Sequence, residues 1–444
     1  MGEPRRTDLE LRAERAVLVQ VADSRNRSEA DVTFAELENL TQTAGATVVG
    51  RVRQFRNLPD RRYYVGRGKL EQLQELCRDA EAEVVVCDDD LSPSQVRTLE
   101  ETLAVKVVDR SEVILDIFAA HARTKQAQLQ VELAQLEYEF PRLKRMWTHL
   151  DRTAGGTLGG PAGGGIGVRG PGEKQLEVDR RMVQQRIHDL RQELEGVRRR
   201  HHVEAQARNE RFPSVALVGY TNAGKSSLMN ALTGAGVRVR DRLFETLDTR
   251  TRLWRLPQGR EVLLSDTVGF IRKFPHHLAE SFHATLEETR EADLLLHVVD
   301  ASEPDCEREM DAVNKVLAQL GSLDRPTICV LNKMDAVRDP SVVALLRRQV
   351  GAVVATSAQT GEGLDELALR VDGHVGTAET VLQVDAAAGN GRLFAFLHEK
   401  GQVLEQRSDG DRLRLTVRIH PRHVDAIRRL GGVLAGEPAV EHAE

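Results

Sequence analysis

No run of apolar residues approaches the ~20 that a membrane-spanning helix needs, which excludes a transmembrane segment. The N-terminus, MGEPRRTDLELRAERAVLVQ, is too charged for a signal peptide, and Arg6 stands where a myristoylation signal requires Ser or Thr. Cysteine is scarce: Cys77, Cys87, Cys306 and Cys329 show no CxxC spacing and are too few for a disulfide or zinc framework. With no targeting signal, the expected address is a reducing cytoplasm. Aromatics are few (Phe 11, Tyr 4, Trp 2), so the cores should be aliphatic. Neither charge dominates: 62 Lys+Arg against 68 Asp+Glu leave −6, which does not mark a general nucleic-acid binder but leaves room for a local basic face.

What is present is a globular composition, 41% apolar and 29% charged, in a chain of 444 residues. That is about three times the ~150 residues of one domain, so several cores are expected. Residues 15–110 alternate apolar runs (Ala16–Val21, Thr47–Val52, Glu83–Cys87, Val105–Val108) with helical stretches, the pattern of a small, mostly parallel α/β unit. Ser92, Pro93 and Gln95 spell an N-cap, a first-turn proline and a capping-box partner.

From about residue 111 the period changes. Leu129, Leu133, Leu136, Phe140, Leu143, Trp147 and Leu150 form a heptad seam, in which Pro141 predicts a kink. A second seam runs Leu176, Val183, Ile187, Leu190, Leu194, Val197, so residues 111–211 are expected to form an antiparallel coiled-coil hairpin. The tip, residues 155–172, is GGTLGGPAGGGIGVRGPG, with ten glycines in eighteen residues. Arg142, Lys144, Arg145, Arg152 and Arg169 lie in or beside it against Asp151 alone. A basic, glycine-rich tip lets backbone amides and guanidinium groups approach a crowded polyanion, and RNA is the natural candidate. Residues 212–376 return to α/β alternation, and a small α+β unit follows over 377–444: strand Val381–Val384, helix Arg392–Glu405, strand Leu413–Ile419, helix His423–Leu430.

The third unit carries the chemistry. Gly219-Tyr220-Thr221-Asn222-Ala223-Gly224-Lys225-Ser226-Ser227 sits between a strand and a helix. In such a loop successive amides curl round phosphates, Lys225 neutralises the β and γ oxygens, and the Ser226 hydroxyl ligates Mg²⁺. A random chain of this composition gives such a match about 2% of the time. Three further segments supply missing parts in order, each after an apolar run. Asp266-Thr267-Val268-Gly269 offers a carboxylate that can hold Mg²⁺ through water and a Gly269 amide for the γ-phosphate. Asn332-Lys333-Met334-Asp335 offers a carboxylate that accepts two hydrogen bonds from guanine and none of that kind from adenine. Ser357-Ala358-Gln359 places the Ala358 amide toward guanine O6.

GYTNAGKS, DTVGF, NKMD and SAQTG resemble the motifs of translation-factor-related GTPases, and with LFETLDTRTR, DTVGFIRKFPHHL and GGPAGGGIGVRGPGEKQLE the chain resembles the HflX family. The resemblance implies a monomeric, ribosome-associated GTPase that binds GTP and GDP and engages the large subunit and its RNA through the N-terminal region. It also implies a hairpin tip reaching toward the peptidyl-transferase centre, and a role in splitting or recycling ribosomes. It nominates Thr246, within Phe244-Glu245-Thr246-Leu247-Asp248, as the switch threonine that joins Mg²⁺ when the γ-phosphate is present. Phe270 stands where many GTPases place a water-orienting Gln, so intrinsic hydrolysis should be slow. Related GTPases with an asparagine at the position of Asn222 hold a K⁺ ion near the β/γ bridge, which nominates K⁺ and the ribosome as completing the site.

Asp23, Asp88–Asp90 and Asp109, at strand ends of the first unit, read as caps and turn residues rather than a second nucleotide or metal site. An RNA-binding factor with a degenerate nucleotide site is disfavoured by the intact Lys225 and Ser226, and an ATP-driven enzyme by Asp335.

Overall fold

The computed structural model describes residues 13–154, 171–209, 212–234, 244, 249–273, 287–338, 343, 346–348, 350, 353–377 and 380–435. Thr246 with Glu245, Leu247 and Asp248, and residues 155–170 of the tip, lie outside the described residues, as do the side chains of Leu143, Trp147, Leu150 and Leu176.

The first unit runs β1 (Arg15–Ala22), α1 (Arg27–Thr43), β2 (Thr47–Phe55), α2 (Arg67–Asp79), β3 (Val84–Cys87), α3 (Pro93–Leu103), β4 (Lys106–Asp109) and α4 (Arg110–His121). Its strands are all parallel in the order β2-β1-β3-β4. Both faces are covered, which is why the strands are continuous apolar runs rather than alternating ones. Val17, Val19 and Val85 meet Leu70, Leu73, Leu99 and Leu103 of α2 and α3, while Leu18 and Val86 meet Leu37, Leu40, Ile114 and Phe118 of α1 and α4. The capping box is formed: Ser92 Oγ accepts from Gln95 N, and Gln95 Oε1 accepts from Ser92 N. Asp109 caps α4, accepting from Glu112 N at 3.1 Å. The helix that opens at the expected domain boundary thus buries Val113, Ile114, Ile117 and Phe118 with the first sheet.

Helices α5 (Lys125–Ala154) and α6 (Pro171–Asn209) pack along the expected seam, with Leu129, Leu133, Ile187, Leu190 and Leu194 buried. Helix α5 continues through Pro141. Arg186–Glu132 (2.6 Å) and Arg191–Glu137 (2.7 Å) join the arms, but exposed pairs of this kind add ~1 kcal/mol at most, so the apolar seam holds them together.

The third unit comprises β5 (Ser214–Gly219), α7 (Lys225–Thr233), β6 (Arg250–Arg255), β7 (Glu261–Asp266), α8 (Glu287–Glu291), β8 (Leu294–Asp300), α9 (Cys306–Gln319), β9 (Thr327–Asn332), β10 (Val353–Ala355) and α10 (Leu364–Thr377). Its sheet has the order β10-β9-β8-β5-β7-β6, parallel except for β6. Strand β5 lies between β7 and β8, so the loop leaving its carboxyl end sits where open α/β sheets bind ligands.

His297 of β8 pairs with Val218 of β5 and Cys329 of β9 and is 4% exposed. Burial, with the Lys225 charge adding to it, pulls the ring down to about 4. Its protonation in the unfolded chain, from pH ~6.5 downward, therefore favours unfolding, and the loss is complete near pH 4 at up to ~3 kcal/mol. Urea midpoints should fall between pH 7 and 5, and His297→Leu should flatten that slope by one proton.

The last unit is β11 (Thr380–Ala387), α11 (Gly391–Lys400), β12 (Gly401–Asp409), β13 (Arg412–Ile419), α12 (Val424–Arg429) and β14 (Val433–Leu434). The sheet order β12-β13-β11-β14, with antiparallel pairs, is the ferredoxin-like arrangement. The helix expected to reach Glu405 stops at Lys400. Gly401 instead opens a strand against Ile419, where a Cβ would lie 2.9 Å from Val417 and 3.0 Å from the Arg418 carbonyl.

Candidate functional site

The phosphate loop leaves β5 at Gly219 and enters α7 at Lys225. Asn222 (φ 61°) and Gly224 (φ 89°) are left-handed, and a Cβ on Gly224 would collide with the amide of Asn332. Lys225 is buried, its Nζ donating to the carbonyls of Gly219 (3.1 Å) and Tyr220 (2.8 Å). Burial pulls its ammonium down to about 8, while Asp266 pulls the other way. Its charge is thus held where a polyphosphate would accept it.

Ser226 Oγ donates to Asp266 Oδ2 at 2.6 Å. Two hard oxygen donors side by side at a helix N-terminus fit Mg²⁺, which keeps few protein ligands and completes its octahedron with water and phosphate oxygens. Thr267 Oγ1 donates to the Leu217 carbonyl at 2.7 Å and ties this strand end to β5. Gly269 runs so close to the phosphate loop that a Cβ would lie 2.8 Å from Thr221 Cα and 3.0 Å from Lys225 Nζ. The two loops also pair: Thr221 N donates to the Phe270 carbonyl (2.7 Å) and Phe270 N to the Gly219 carbonyl (3.1 Å). Phe270 itself is 3% exposed, packed in the core rather than turned to the phosphates. Asn222 is exposed at the loop's crest.

Asn332 is a tie between loops. Its Nδ2 donates to the Ala223 carbonyl (3.0 Å), and its Oδ1 accepts from the Ala358 amide (3.1 Å). The Ala358 amide expected at guanine O6 is therefore held by Asn332. Asp335 accepts from Ser357 Oγ, which fixes one carboxylate oxygen. Lys333 (φ 61°) pairs with Asp300 at 2.6 Å, Met334 N donates to the Thr356 carbonyl at 3.2 Å, and Gln359 is exposed. The structure thus brings the phosphate, metal and base segments together at one end of the sheet. Ser227 lies in the first turn of α7.

The sequence reading missed what lies behind these loops. Tyr220 turns its hydroxyl into the first unit, donating to Glu36 (2.6 Å) and accepting from Arg272 N (2.7 Å). Arg110, 2% exposed, pairs with Glu36 (3.1 Å) and Asp88 (3.0 Å) and donates to the Arg272 carbonyl (3.1 Å). Burial alone would lower the Arg110 guanidinium, but the carboxylates of Glu36 and Asp88 raise it. Lys273 reaches Asp88 (2.9 Å) and Asp89 (2.6 Å), so Asp88 and Asp89 are counter-ions, not ligands of a second site. Phe244 packs edge-on to Phe118 of α4, with centroids 4.8 Å apart. The only sequence signal was an Asp run at a strand end and an Arg-Lys pair after Gly269.

Residues 31–119 match the family described as GTP-binding GTPase N-terminal, residues 121–208 the GTP-binding GTPase middle region, and residues 214–333 the 50S ribosome-binding GTPase. A GTPase HflX of Caldanaerobacter subterraneus subsp. tengcongensis is 43% identical over 397 residues, 89% of this chain and 89% of that protein. One from Lacrimispora saccharolytica is 44% identical over 401 residues, covering 90% and 92%, and one from Magnetococcus marinus 43% over 416 residues, covering 92% and 93%. With such relatives along nearly its whole length, and with phosphate and guanine loops gathered at one sheet edge, the chain belongs to the HflX family of GTPases.

Proposed function

We propose that this GTPase binds the large ribosomal subunit in its GTP state, acts in splitting or recycling ribosomes, and is released on hydrolysis to GDP and phosphate. One observation carries the switching half. Gly269, the residue assigned to the γ-phosphate, lies three and four residues before Arg272 and Lys273, which hold Arg110, Asp88 and Asp89 of the first unit directly and reach Glu36 through the Tyr220 hydroxyl. A shift of Gly269 on gain or loss of the γ-phosphate moves the seat of the first unit. The match of residues 214–333 to ribosome-binding GTPases supports the partner.

Lys225 would neutralise β- and γ-phosphate oxygens; Ser226, Asp266 and Thr246 would hold Mg²⁺, which when bound would supply charge stabilisation to the transferring phosphoryl group. Asp335 recognises guanine, with Asn332 fixing the loops. Phe270 has no group to orient water, so Asn222 would hold K⁺, and the ion and the ribosome would complete the site. Hydrolysis without ribosomes should be faster in K⁺ than in Na⁺; equal rates remove the ion from the mechanism.

The partner is tested by co-sedimentation with large subunits. At least tenfold tighter binding is expected with a non-hydrolysable GTP analogue than with GDP. Equal binding in the two states sinks the switch, and none in either sinks the partner.

A further inference from the structure

We infer that residues 56–69, the connection from β2 together with the first turn of α2, form a docking surface for the phosphate backbone of structured RNA. This rests on the ribosome-binding reading and names the surface that reading lacks in the first unit.

In a chain of net charge −6, this segment carries Arg56, Arg61, Arg62, Arg67 and Lys69 against Asp60 alone. The neighbouring arginines differ. Arg51 and Arg53 on β2 are matched by Glu38 and Asp31 of α1, so their charge is answered within the unit. In the loop, the nearest acid to Arg56 is Asp60 at 3.8 Å. The Asp60 carboxylate is engaged in the turn itself, accepting from Arg62 N (2.9 Å) and Tyr63 N (3.0 Å), which keep it ionised below the usual carboxylate range. Arg61, Arg62 and Arg67 are exposed. That leaves a concentrated positive surface whose complement is a polyanion.

The surface is also rigid. Asp60 and Tyr64 exchange two backbone hydrogen bonds (2.8 and 3.1 Å), Gly66 N donates to Gln54 Oε1 (2.8 Å), and Gln95 Nε2 donates to the Asp60 carbonyl (2.8 Å). Tyr64 is 1% exposed and its hydroxyl donates to Asp89 at 2.7 Å. Guanidinium groups on a fixed frame lose little entropy on binding, and their planar forks suit phosphate. Beside them Leu58 is 76% and Phe55 39% exposed, apolar surface fit to lie against ribose and base faces. One loop with so little apolar surface lacks the amphipathic helix that a membrane site uses, which favours RNA. Because Asp89 holds both Tyr64 and Lys273, this surface is two contacts from the nucleotide-sensing segment.

The test uses the full chain, wild type and Arg61→Glu/Arg62→Glu/Arg67→Glu, with intact large subunits, deproteinised large-subunit RNA and phosphatidylglycerol vesicles, from ~50 to ~200 mM KCl. The triple variant should bind RNA and subunits at least tenfold more weakly, with a log–log salt slope smaller by about 2–3, since each lost phosphate contact removes roughly 0.9. GTP affinity should not change. The milder triple substitution by alanine should move binding the same way, guarding against a folding defect. Wild-type affinity and slope in both variants overturn the docking surface while leaving ribosome binding standing. Wild-type protein that binds neither subunits nor RNA overturns both. Vesicle binding tighter than RNA binding, and lost in the variants, assigns the arginines to a membrane and overturns the RNA assignment.

Discussion

Asp335→Asn is expected to weaken GTP binding by about two to three orders of magnitude and to shift preference toward xanthosine nucleotides. A carboxylate aimed at guanine accepts from N1–H and the exocyclic amine, and hydrogen bonds to a charged group contribute roughly 1.5–3 kcal/mol each. An amide in the same place brings an NH₂ group against that amine and leaves a donor unpaired. Xanthine, with a carbonyl at the position of the amine, restores the pair. The geometry makes the substitution clean, because Ser357 Oγ fixes one oxygen of Asp335 and Asn332 holds the flanking loops through Ala223 and Ala358. Titration calorimetry with GTP and xanthosine triphosphate measures both affinities. Unchanged GTP affinity in the variant would falsify the base assignment.

The features legible in the sequence are those written within a few residues. The phosphate loop, the Asp266–Gly269 and Asn332–Asp335 segments and the Ser92–Gln95 box each encode their own local geometry. The seam of Leu129, Leu133, Ile187, Leu190 and Leu194 was legible because its period repeats. Elsewhere distant partners decide. The stretch after Gly391 has helical composition as far as Glu405, yet pairing with β13 turns its last five residues into the start of β12. Tyr220 and Glu36 are 184 residues apart in sequence, Lys273 and Asp88 185, and no local pattern couples them. Asp88 and Asp89 carried a strand-end signal that fits a cap, a ligand or a counter-ion alike, and only the approach of Arg110 and Lys273 selects the last.

That same cluster yields the largest expected effect on domain coupling. Arg110→Ala removes a cation between Glu36, 9% exposed, and Asp88, fully buried. Removing one partner of a buried ion pair costs about 3–5 kcal/mol, because the remaining charge keeps its desolvation penalty without its counter-charge. Lys273 still reaches Asp88, so the deficit falls mainly on Glu36, which among the described residues keeps the Tyr220 hydroxyl. Tyr220 and Arg272 lie in the phosphate loop and just after Gly269, so the contact that fails is the one between the first unit and these two loops. A single melting temperature is ill-defined in a chain of several units, so amide exchange is the better measure. Protection should fall in α4 and at residues 270–273 while β8 and β9 keep theirs, with GTP affinity within a few-fold of wild type. Large-subunit binding should then no longer distinguish a GTP analogue from GDP. Arg110→Met combined with Glu36→Gln and Asp88→Asn removes both signs together, and should recover much of the exchange protection, since neutral replacement of a buried ion cluster is often close to isoenergetic. The non-additivity of single and combined changes measures the coupling directly. If Arg110→Ala retains wild-type protection and still binds ribosomes only with the GTP analogue, the nucleotide signal does not pass through this clasp.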